Sequence, residues 1–291
     1  MKGKRGLRML IPITADRIAP WFPARERKTH KGDYGRILVI AGSAGMMGAA
    51  VLCAKAALRS GAGLVTVACD PASFPVIHCG IPEAMCCSRT LTAEDLKRYD
   101  TVAIGPGLSV IPETAQLLAL VLENHTGIAV VDADALNAAA AFRIPLKGNG
   151  TGIIITPHEG EAGRLLRIEP GDVAADREGA AVALARTNTV CCVLKGADTL
   201  VADPEGALYV NTTGNPGMAT AGAGDVLTGV IAACAAQMNR RGPAVCSSAV
   251  AGVFIHGLAG DLAAGSIGQY SLMAGDIVSA IPGALRRITE G

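Results

Sequence analysis

The chain has 291 residues, a net charge of +1 and 36 glycines, and half of its residues are hydrophobic although only 3% are aromatic. Because 26 basic and 25 acidic side chains are interspersed, no long-range field would draw the protein to nucleic acid or to an acidic membrane, and a small-molecule ligand is expected. A core built from Ala, Val, Leu and Ile around many glycines is typical of an α/β protein.

Cysteine usage and hydropathy indicate the compartment. The nine cysteines include two adjacent pairs, Cys86-Cys87 and Cys191-Cys192, and none has the two-residue spacing of a zinc or redox motif. Such loose thiols fit a reducing cytoplasm. No uncharged apolar run flanked like a membrane span has the length needed to cross a bilayer. A soluble cytoplasmic protein without a membrane partner is therefore expected.

The first regular elements follow a segment, residues 1–29, that is expected to be irregular. The apolar run from Arg36 to Gly42 predicts a strand buried on both faces. A helix from Met47 to Ser60 ends before Gly61, and a second strand is predicted from Leu64 to Cys69. These elements form a βαβ unit, which implies parallel strands joined by a right-handed crossover.

The same alternation continues through the middle of the chain. Strands are predicted at Thr101 to Gly105, Ile128 to Asp132 and Gly152 to Thr156, separated by helical stretches such as Glu113 to Leu122. Five or more parallel strands are therefore implied.

Near Val190 the spacing between apolar runs shortens. Strands at Val190 to Lys195, Thr199 to Asp203 and Ala207 to Asn211 are separated only by short polar or glycine turns. This pattern predicts an antiparallel hairpin at an edge of the sheet.

The remainder of the chain is predicted to be helical, over Gly222 to Gln237, Ala244 to Ala264 and Ala274 to Arg287. Because no linker or low-complexity segment divides the sequence, residues 30–291 are expected to form a single catalytic domain. A homo-oligomer is expected, since an apolar helix such as Ala244 to Ala264 could face a partner; it could equally belong to the core.

A loop of small residues from Asn215 to Gly224 leads directly into an apolar helix that continues with Val226. A helix N-terminus leaves backbone N–H groups unpaired and carries partial positive charge, and small side chains let a phosphate reach those donors. We therefore predict an anion hole formed by four consecutive residues, Ala221, Gly222, Ala223 and Gly224.

Asp225 stands at the same helix start, where the helix dipole favours a carboxylate that can also take a proton from a substrate hydroxyl. It is the candidate catalytic base. The alternative is an aspartate that only caps the helix. The loop lacks the Gly-Lys-Ser/Thr of the Walker form, and it does not follow a first strand as a dinucleotide fingerprint would.

Six ordered motifs carry a family resemblance. They are His30 to Gly35 (HKGDYG), Gly105 to Leu108 (GPGL), Asp132 to Asn137 (DADALN), Thr156 to Glu161 (TPHEGE), Lys195 to Thr199 (KGADT) and Asn215 to Gly229. With these motifs the chain resembles the ADP- or ATP-dependent NAD(P)H-hydrate dehydratases, a carbohydrate-kinase-related branch of the ribokinase-like superfamily. The resemblance implies a three-layer αβα ribokinase-like fold with a central, mostly parallel sheet and an antiparallel edge hairpin.

The resemblance also implies ligands and residue roles. The enzyme would dehydrate hydrated NADH or NADPH (NADHX or NADPHX) with ADP or ATP as co-substrate and Mg²⁺ as cofactor, and no dedicated metal ligands are predicted. The residues implied to contact the hydrated dinucleotide are Ala49, Gly107, His158 and the base Asp225. Those implied to contact the adenine nucleotide are Lys195, Gly196, Ala197, Asp198, Thr199 and Gly224.

Taken alone, the residues leave simpler interpretations open. His158 could be a surface-loop histidine, and Gly105 to Leu108 could be a plain β-to-α turn. Lys195 could pair with phosphate or stay solvated. Asp132 and Asp134 could position Mg²⁺ through water or cap the helix that follows them.

Two other functions would use the same loop. One is a small-molecule kinase of this fold, acting on a vitamin precursor or a sugar, and the other is a nucleotide-sensing protein without turnover. The sequence also departs from the resembled pattern: Glu159 follows His158 where proline is usual, Ser109 stands where glycine is typical, and Ala221 and Ala223 replace a glycine and a threonine. These changes bear on ligand affinity more than on reaction type.

Overall fold

The computed structural model describes residues 10–239 and 244–290. The strands are β1 (Leu10–Pro12), β2 (Arg36–Ile40), β3 (Leu64–Cys69), β4 (Met85–Ser88), β5 (Thr101–Ile104), β6 (Ile128–Val131), β7 (Gly152–Ile155), β8 (Cys191–Leu194), β9 (Thr199–Ala202) and β10 (Leu208–Asn211). The α-helices are α1 (Ala15–Ile18), α2 (Met47–Arg59), α3 (Phe74–Gly80), α4 (Ala93–Leu96), α5 (Pro112–Asn124), α6 (Ala133–Phe142), α7 (Glu159–Leu166), α8 (Pro170–Ala175), α9 (Arg177–Asn188), α10 (Ala223–Met238), α11 (Val245–Ile267) and α12 (Ala274–Thr289).

All ten strands join one sheet in the order β1-β10-β9-β8-β7-β6-β5-β2-β3-β4. Neighbouring strands are parallel except that β9 runs antiparallel to both β8 and β10. Helices cover both faces, so the predicted three-layer αβα architecture with a mostly parallel sheet is confirmed. The predicted antiparallel hairpin, β9 and β10, lies one strand in from the edge because β1 pairs in parallel with β10.

Three short elements differ from the sequence predictions. The segment before residue 30 is predicted to be irregular, yet residues 10–12 form β1 and residues 15–18 form α1. Three residues that end in proline give no periodic signal, and β1 is ordered by its pairing with β10. The other unpredicted strand, β4, contains Cys86 and Cys87 at an edge of the sheet, where its side chains are only half-buried.

Small residues set the close packing of helices on one sheet face. A Cβ on Gly229 of α10 would lie 2.1 Å from the carbonyl oxygen of Cys53 in α2. The backbones of the two helices therefore touch, which only glycine permits at that position. This contact holds the N-terminal turn of α10, with Asp225, firmly above the sheet.

Helix α11 is apolar and 23 residues long, and by length and composition it could cross a membrane. Of its most apolar 18-residue stretch, 61% is buried inside the protein, where α11 packs against α10 and α12. It is thus a core helix rather than a free apolar surface.

All nine cysteines are free.

The carboxyl ends of the parallel strands meet at one edge of the sheet. Gly105, Asp132, Thr156 and Lys195 each directly follow a strand there, and α10 begins above them. In open α/β sheets this is the edge at which ligands bind.

Candidate active site

A buried charge network lies where β6 and β8 end beneath α10. The Nζ atom of Lys195 is 2.7 Å from Oδ1 of Asp132 and 3.5 Å from Oε2 of Glu161. Asp132 is 1% exposed and Lys195 18%. Burial, the largest single influence, lowers the pKa of Lys195, but the two carboxylates outweigh it and the pKa is raised. Lys195 is therefore a paired cation and not a solvated one.

Thr228 fixes the second oxygen of Asp132. It lies one turn after Asp225 on α10, it is fully buried, and its hydroxyl donates to Oδ2 of Asp132 at 2.7 Å. Asp132 occupies the N-cap position of α6 but makes no side-chain cap hydrogen bond there. Its carboxylate is instead committed to tying the start of α10 to the end of β6.

His158 is the N-cap of α7. Its Nδ1 accepts hydrogen bonds from the backbone N–H groups of Gly160 and Glu161, at 2.9 and 3.4 Å. The backbone N–H of His158 donates to Oε2 of Glu161 at 2.9 Å, which completes a capping box. The ring remains about half exposed. Because Nδ1 accepts, the ring proton resides on Nε2.

Asp225 is the third residue of α10 and carries a perturbed carboxyl group. Burial, and secondarily the charge of Asp132, raise its pKa from 3.8 to about 6, although Lys195 works in the opposite direction. No hydrogen bond from the described parts of the chain reaches its side chain. A partly buried carboxylate without a donor, with a pKa close to neutrality, suits a general base.

A second Ala-Gly-Asp sequence at the start of a helix shows what a capping aspartate looks like. Asp276 is also the third residue of its helix, α12, and its carboxylate accepts the backbone N–H of Met273 at 2.9 Å. Asp225 makes no such bond, and the residue that precedes its helix, Gly222, has a left-handed φ of 89°. The helix-cap interpretation therefore describes Asp276 and not Asp225.

A cavity of about 530 Å³ opens beside the start of α10, within the range of small-molecule sites. Its lining includes every residue predicted to contact the adenine nucleotide, together with residues of the loop after β10 and of α11: Lys195, Gly196, Ala197, Asp198, Thr199, Asn211, Thr212, Thr213, Gly214, Asn215, Pro216, Met218, Ala219, Ala223, Gly224, Leu227, Val253, His256 and Gly257.

The predicted substrate contacts lie outside that lining. A Cβ on Gly107 would be 3.1 Å from the Cβ of Ala49 and 2.8 Å from the carbonyl oxygen of Met46, so the two predicted contacts adjoin one another. His158 connects to the charge network through Glu161. Of the predicted anion hole, Ala223 and Gly224 line the cavity, whereas Ala221 is exposed and Gly222 faces Leu52.

The loop after β5 has an unusual backbone. Ser109, which stands where glycine is typical of the resembled pattern, adopts a left-handed φ of 69°. Its N–H donates to Oδ2 of Asp134 at 2.8 Å, and its hydroxyl lies 3.3 Å from that of Ser43. These bonds offset the strain of a non-glycine residue in this region.

Sequence reasoning missed three residues around the cavity and the network. Thr228 is an ordinary core position by pattern. Asp261 of α11 accepts from the N–H of Gly214 and from the side-chain amide of Asn215, at 2.9 and 3.0 Å, and so fixes the loop after β10. His256 lines the cavity, and burial lowers its pKa to about 4, which keeps the ring neutral. The sequence could have pointed to Asp261 and His256, because they are a charged and an ionisable residue in the otherwise apolar α11.

The residues offer no preformed metal cage. Among residues 10–239 and 244–290, no cluster of three or more His, Cys, Asp or Glu side chains could hold a metal ion, and both oxygens of Asp132 are engaged. Mg²⁺ is commonly bound through phosphates, waters and only one or two carboxylates. The site therefore fits a magnesium ion that enters with a nucleotide and not one held by the protein alone.

Replacing Thr228 with Val should destabilise the protein by about 1.5–3 kcal/mol, since it removes a hydrogen bond to a buried carboxylate without changing the side-chain shape. Thr228→Ser keeps the hydroxyl and should lose less. Urea unfolding of both variants measures the effect. Equal stability of the valine variant and the wild type would contradict the role given to this hydroxyl.

Comparison with known proteins agrees with the motifs. A sequence model of the NAD(P)H-hydrate dehydratase family matches residues 37–283. The chain is 41% identical over 285 residues to the ADP-dependent (S)-NAD(P)H-hydrate dehydratase of Neisseria meningitidis, covering 95% of this chain and 94% of the relative. It is 43% identical to the bifunctional NAD(P)H-hydrate repair enzyme of Moorella thermoacetica, covering 96% of this chain but only 54% of that relative. The chain thus spans about half the length of the bifunctional relative.

A solved structure agrees as well. The ADP/ATP-dependent NAD(P)H-hydrate dehydratase of Bacillus subtilis, co-crystallised with ATP and Mg²⁺, superposes with a TM-score of 0.84 at 28% identity, covering 96% of this chain and 99% of that one. Family model, sequence relatives and solved structure all name the same family, and the resemblance carried by the six motifs is confirmed. The chain belongs to the NAD(P)H-hydrate dehydratase family.

Proposed function

We propose that this chain dehydrates hydrated NADH or NADPH, with ADP or ATP consumed as co-substrate. Family membership supports the reaction class. The single observation that carries the mechanism is Asp225, a partly buried carboxylate with a pKa near 6 at the start of α10, next to a cavity of nucleotide size.

The proposed nucleotide site is the cavity between the loop after β8 and the N-terminus of α10. Lys195 to Thr199 line one side, and Ala223 and Gly224, the first two residues of α10, line another. The partial positive charge of this helix N-terminus favours phosphate there. His256, a neutral ring, contributes to the lining without adding charge. The hydrated dinucleotide would lie on the side of Ala49, Gly107 and His158.

The proposed chemistry begins with Asp225 accepting the proton of the ring hydroxyl. The hydroxyl oxygen bonds to the terminal phosphorus of the nucleotide, and the bond from that phosphorus to the bridging oxygen breaks, so that the nucleotide leaves shortened by one phosphate. The ring carbon–oxygen bond then breaks with loss of inorganic phosphate, and the adjacent carbon gives up a proton to solvent, which restores the double bond. Backbone amides near Gly224 hold the transferred group. Magnesium bound with the nucleotide would supply screening of phosphate charge.

The test is an absorbance assay for reduced cofactor formed from its hydrate, run with ADP and with ATP side by side. We expect formation of reduced cofactor with one inorganic phosphate released per turnover. A stable phosphorylated product would favour the alternative, a small-molecule kinase. Nucleotide binding without any consumption would favour a nucleotide sensor and would overturn the proposed reaction.

The pH dependence of the reaction should follow Asp225. A base must be unprotonated, so kcat/KM is expected to be flat above about pH 7 and to fall about tenfold per pH unit below about pH 6. Steady-state rates between about pH 4.5 and 8 measure this. A profile that stays flat down to about pH 5 would show that burial does not raise the pKa of Asp225 above its ordinary value of 3.8.

The setting of the enzyme is also proposed. Nine free thiols are compatible with a reducing cytoplasm. The homo-oligomer expected from the sequence gains no support from α11, since that helix is mostly buried within its own chain. Light scattering of the purified protein would establish the oligomeric state.

A further inference from the structure

One arginine, Arg177, supports the loop that joins β8 to β9 from outside the cavity. Arg177 is the first residue of α9, and its guanidinium donates to three backbone carbonyls of this region. Nη1 reaches the oxygen of Ala197 at 2.5 Å, and Nη2 reaches those of Leu194 and Lys195 at 3.4 and 3.3 Å. Arg177 does not line the cavity. It can therefore act on a ligand only through the loop.

The backbone of the loop explains why such support is needed. Gly196 and Asp198 have φ values of 148° and 52°, outside the regions that strands and helices use. Backbone carbonyls that are not paired in a sheet or a helix need other donors. A planar guanidinium can satisfy several of them at once, which a lysine ammonium cannot do in the same geometry. A Cβ on Gly196 would lie 2.6 Å from Nη2 of Arg177, so the two groups are in close contact.

Glu159 holds the arginine in place. Its Oε1 lies 3.3 Å from Nε of Arg177, and the two side chains are 40% and 21% exposed. Glu159 follows His158 at the start of α7. The ion pair thus connects the start of α7, next to His158, to the arginine that supports the loop between β8 and β9. An ion pair this exposed adds little to stability, so its effect should be on geometry.

We infer that Arg177 is a positioning residue for nucleotide binding and that Glu159 acts through it by orienting its guanidinium. The inference rests on the proposed function of the cavity as the nucleotide site. Its expected signature is a loss of nucleotide affinity with little change in kcat at saturating nucleotide, because neither side chain touches the reacting atoms.

The test compares Arg177→Lys, Glu159→Gln and the double variant by calorimetric titration with ADP and Mg²⁺. Loss of the guanidinium hydrogen bonds to the loop should raise the Kd for ADP about tenfold in the lysine variant, and loss of the ion pair should raise it about threefold in the glutamine variant. The double variant should match Arg177→Lys alone, since Glu159 acts through the arginine. Matched controls are Arg186→Lys, in the last turn of the same helix, and Glu169→Gln, an exposed glutamate before α8.

Kinetics separate a positioning role from a purely structural one. Under the inference the KM for ADP rises with the Kd, kcat stays within about twofold, and Tm changes no more than in the controls. An unchanged Kd in Arg177→Lys, or a loss in kcat without a loss in affinity, would overturn the role of Arg177. Independent, multiplicative effects in the double variant would overturn the role of Glu159.

The binding measurement also keeps this inference distinct from the proposed reaction. If the wild type binds ADP but does not consume the hydrate, the reaction fails while the titrations still test Arg177. If the wild type dehydrates its substrate but the variants bind ADP normally, the inference fails and the reaction stands. A wild type that binds neither ADP nor ATP would overturn both.

Discussion

Asp225→Asn is expected to lower kcat by about 10²–10⁴-fold while nucleotide binding persists. The loss is that of a general base, and the amide keeps the shape of the side chain at the start of α10. The hydrate assay measures kcat, and titration with ADP measures binding. Full activity in this variant would remove Asp225 from the mechanism.

The same substitution should make the folded protein more stable near neutral pH. The folded-state pKa of Asp225 is raised from 3.8 to about 6, so the folded protein binds more protons than the unfolded chain in this window. Stability is therefore lost as pH rises from about 4 to 6 and stays lost above that. Asn carries no charge, so it should recover about 1–2 kcal/mol at pH 7.5 after allowance for partial solvation.

Asp276→Asn is the matched control, because Asp276 occupies the same position in a second Ala-Gly-Asp helix start. Its carboxylate caps α12 through the N–H of Met273, so the change should cost about 0.5–1 kcal/mol and leave kcat unchanged. Urea unfolding at pH 7.5 and pH 5 compares the two. The gain of the Asp225 variant should shrink at the lower pH, and a variant less stable than wild type at both values would contradict the argument.

The order of strands and helices could be read from the sequence because periodicity is a local property. The start of α2 at Met47 coincides with its prediction, and β3 coincides at both ends. Both elements have glycines or polar residues at their limits and mostly apolar residues between them, interrupted by Lys55 in α2 and Thr66 in β3. Strands β1 and β4 were missed because an edge strand is ordered by its neighbour and not by its own pattern.

The location of the site could be predicted from the sequence, but the contacts between its side chains could not. The small residues of the Asn215 to Asp225 loop are enough to predict an anion site. The partners of Asp132 could not be found in this way, since Lys195 and Thr228 lie 63 and 96 residues further along the chain. Only the parallel sheet, which collects strand ends at one edge, brings these three side chains together.

That buried pairing leads to the second large effect. Lys195→Met should destabilise the protein by about 3–5 kcal/mol, because methionine fills the space of the lysine stem but leaves Asp132, which is 1% exposed, without its cation. Lys97→Met is the control: Lys97 also lies 2.7 Å from a carboxylate, that of Glu94, but its side chain is 61% exposed. That surface pair should contribute less than about 1 kcal/mol. Urea unfolding with linear extrapolation gives both values.

A double variant identifies the cause of the loss. Adding Asp132→Asn to Lys195→Met removes the unpaired charge, while the amide oxygen still accepts from the Thr228 hydroxyl, so the double variant should regain most of the lost stability. Two outcomes would contradict this explanation: an equal loss of stability in Lys195→Met and Lys97→Met, or a double variant that is less stable than Lys195→Met alone. In either case Lys195 would not stabilise the protein by neutralising the buried Asp132 charge.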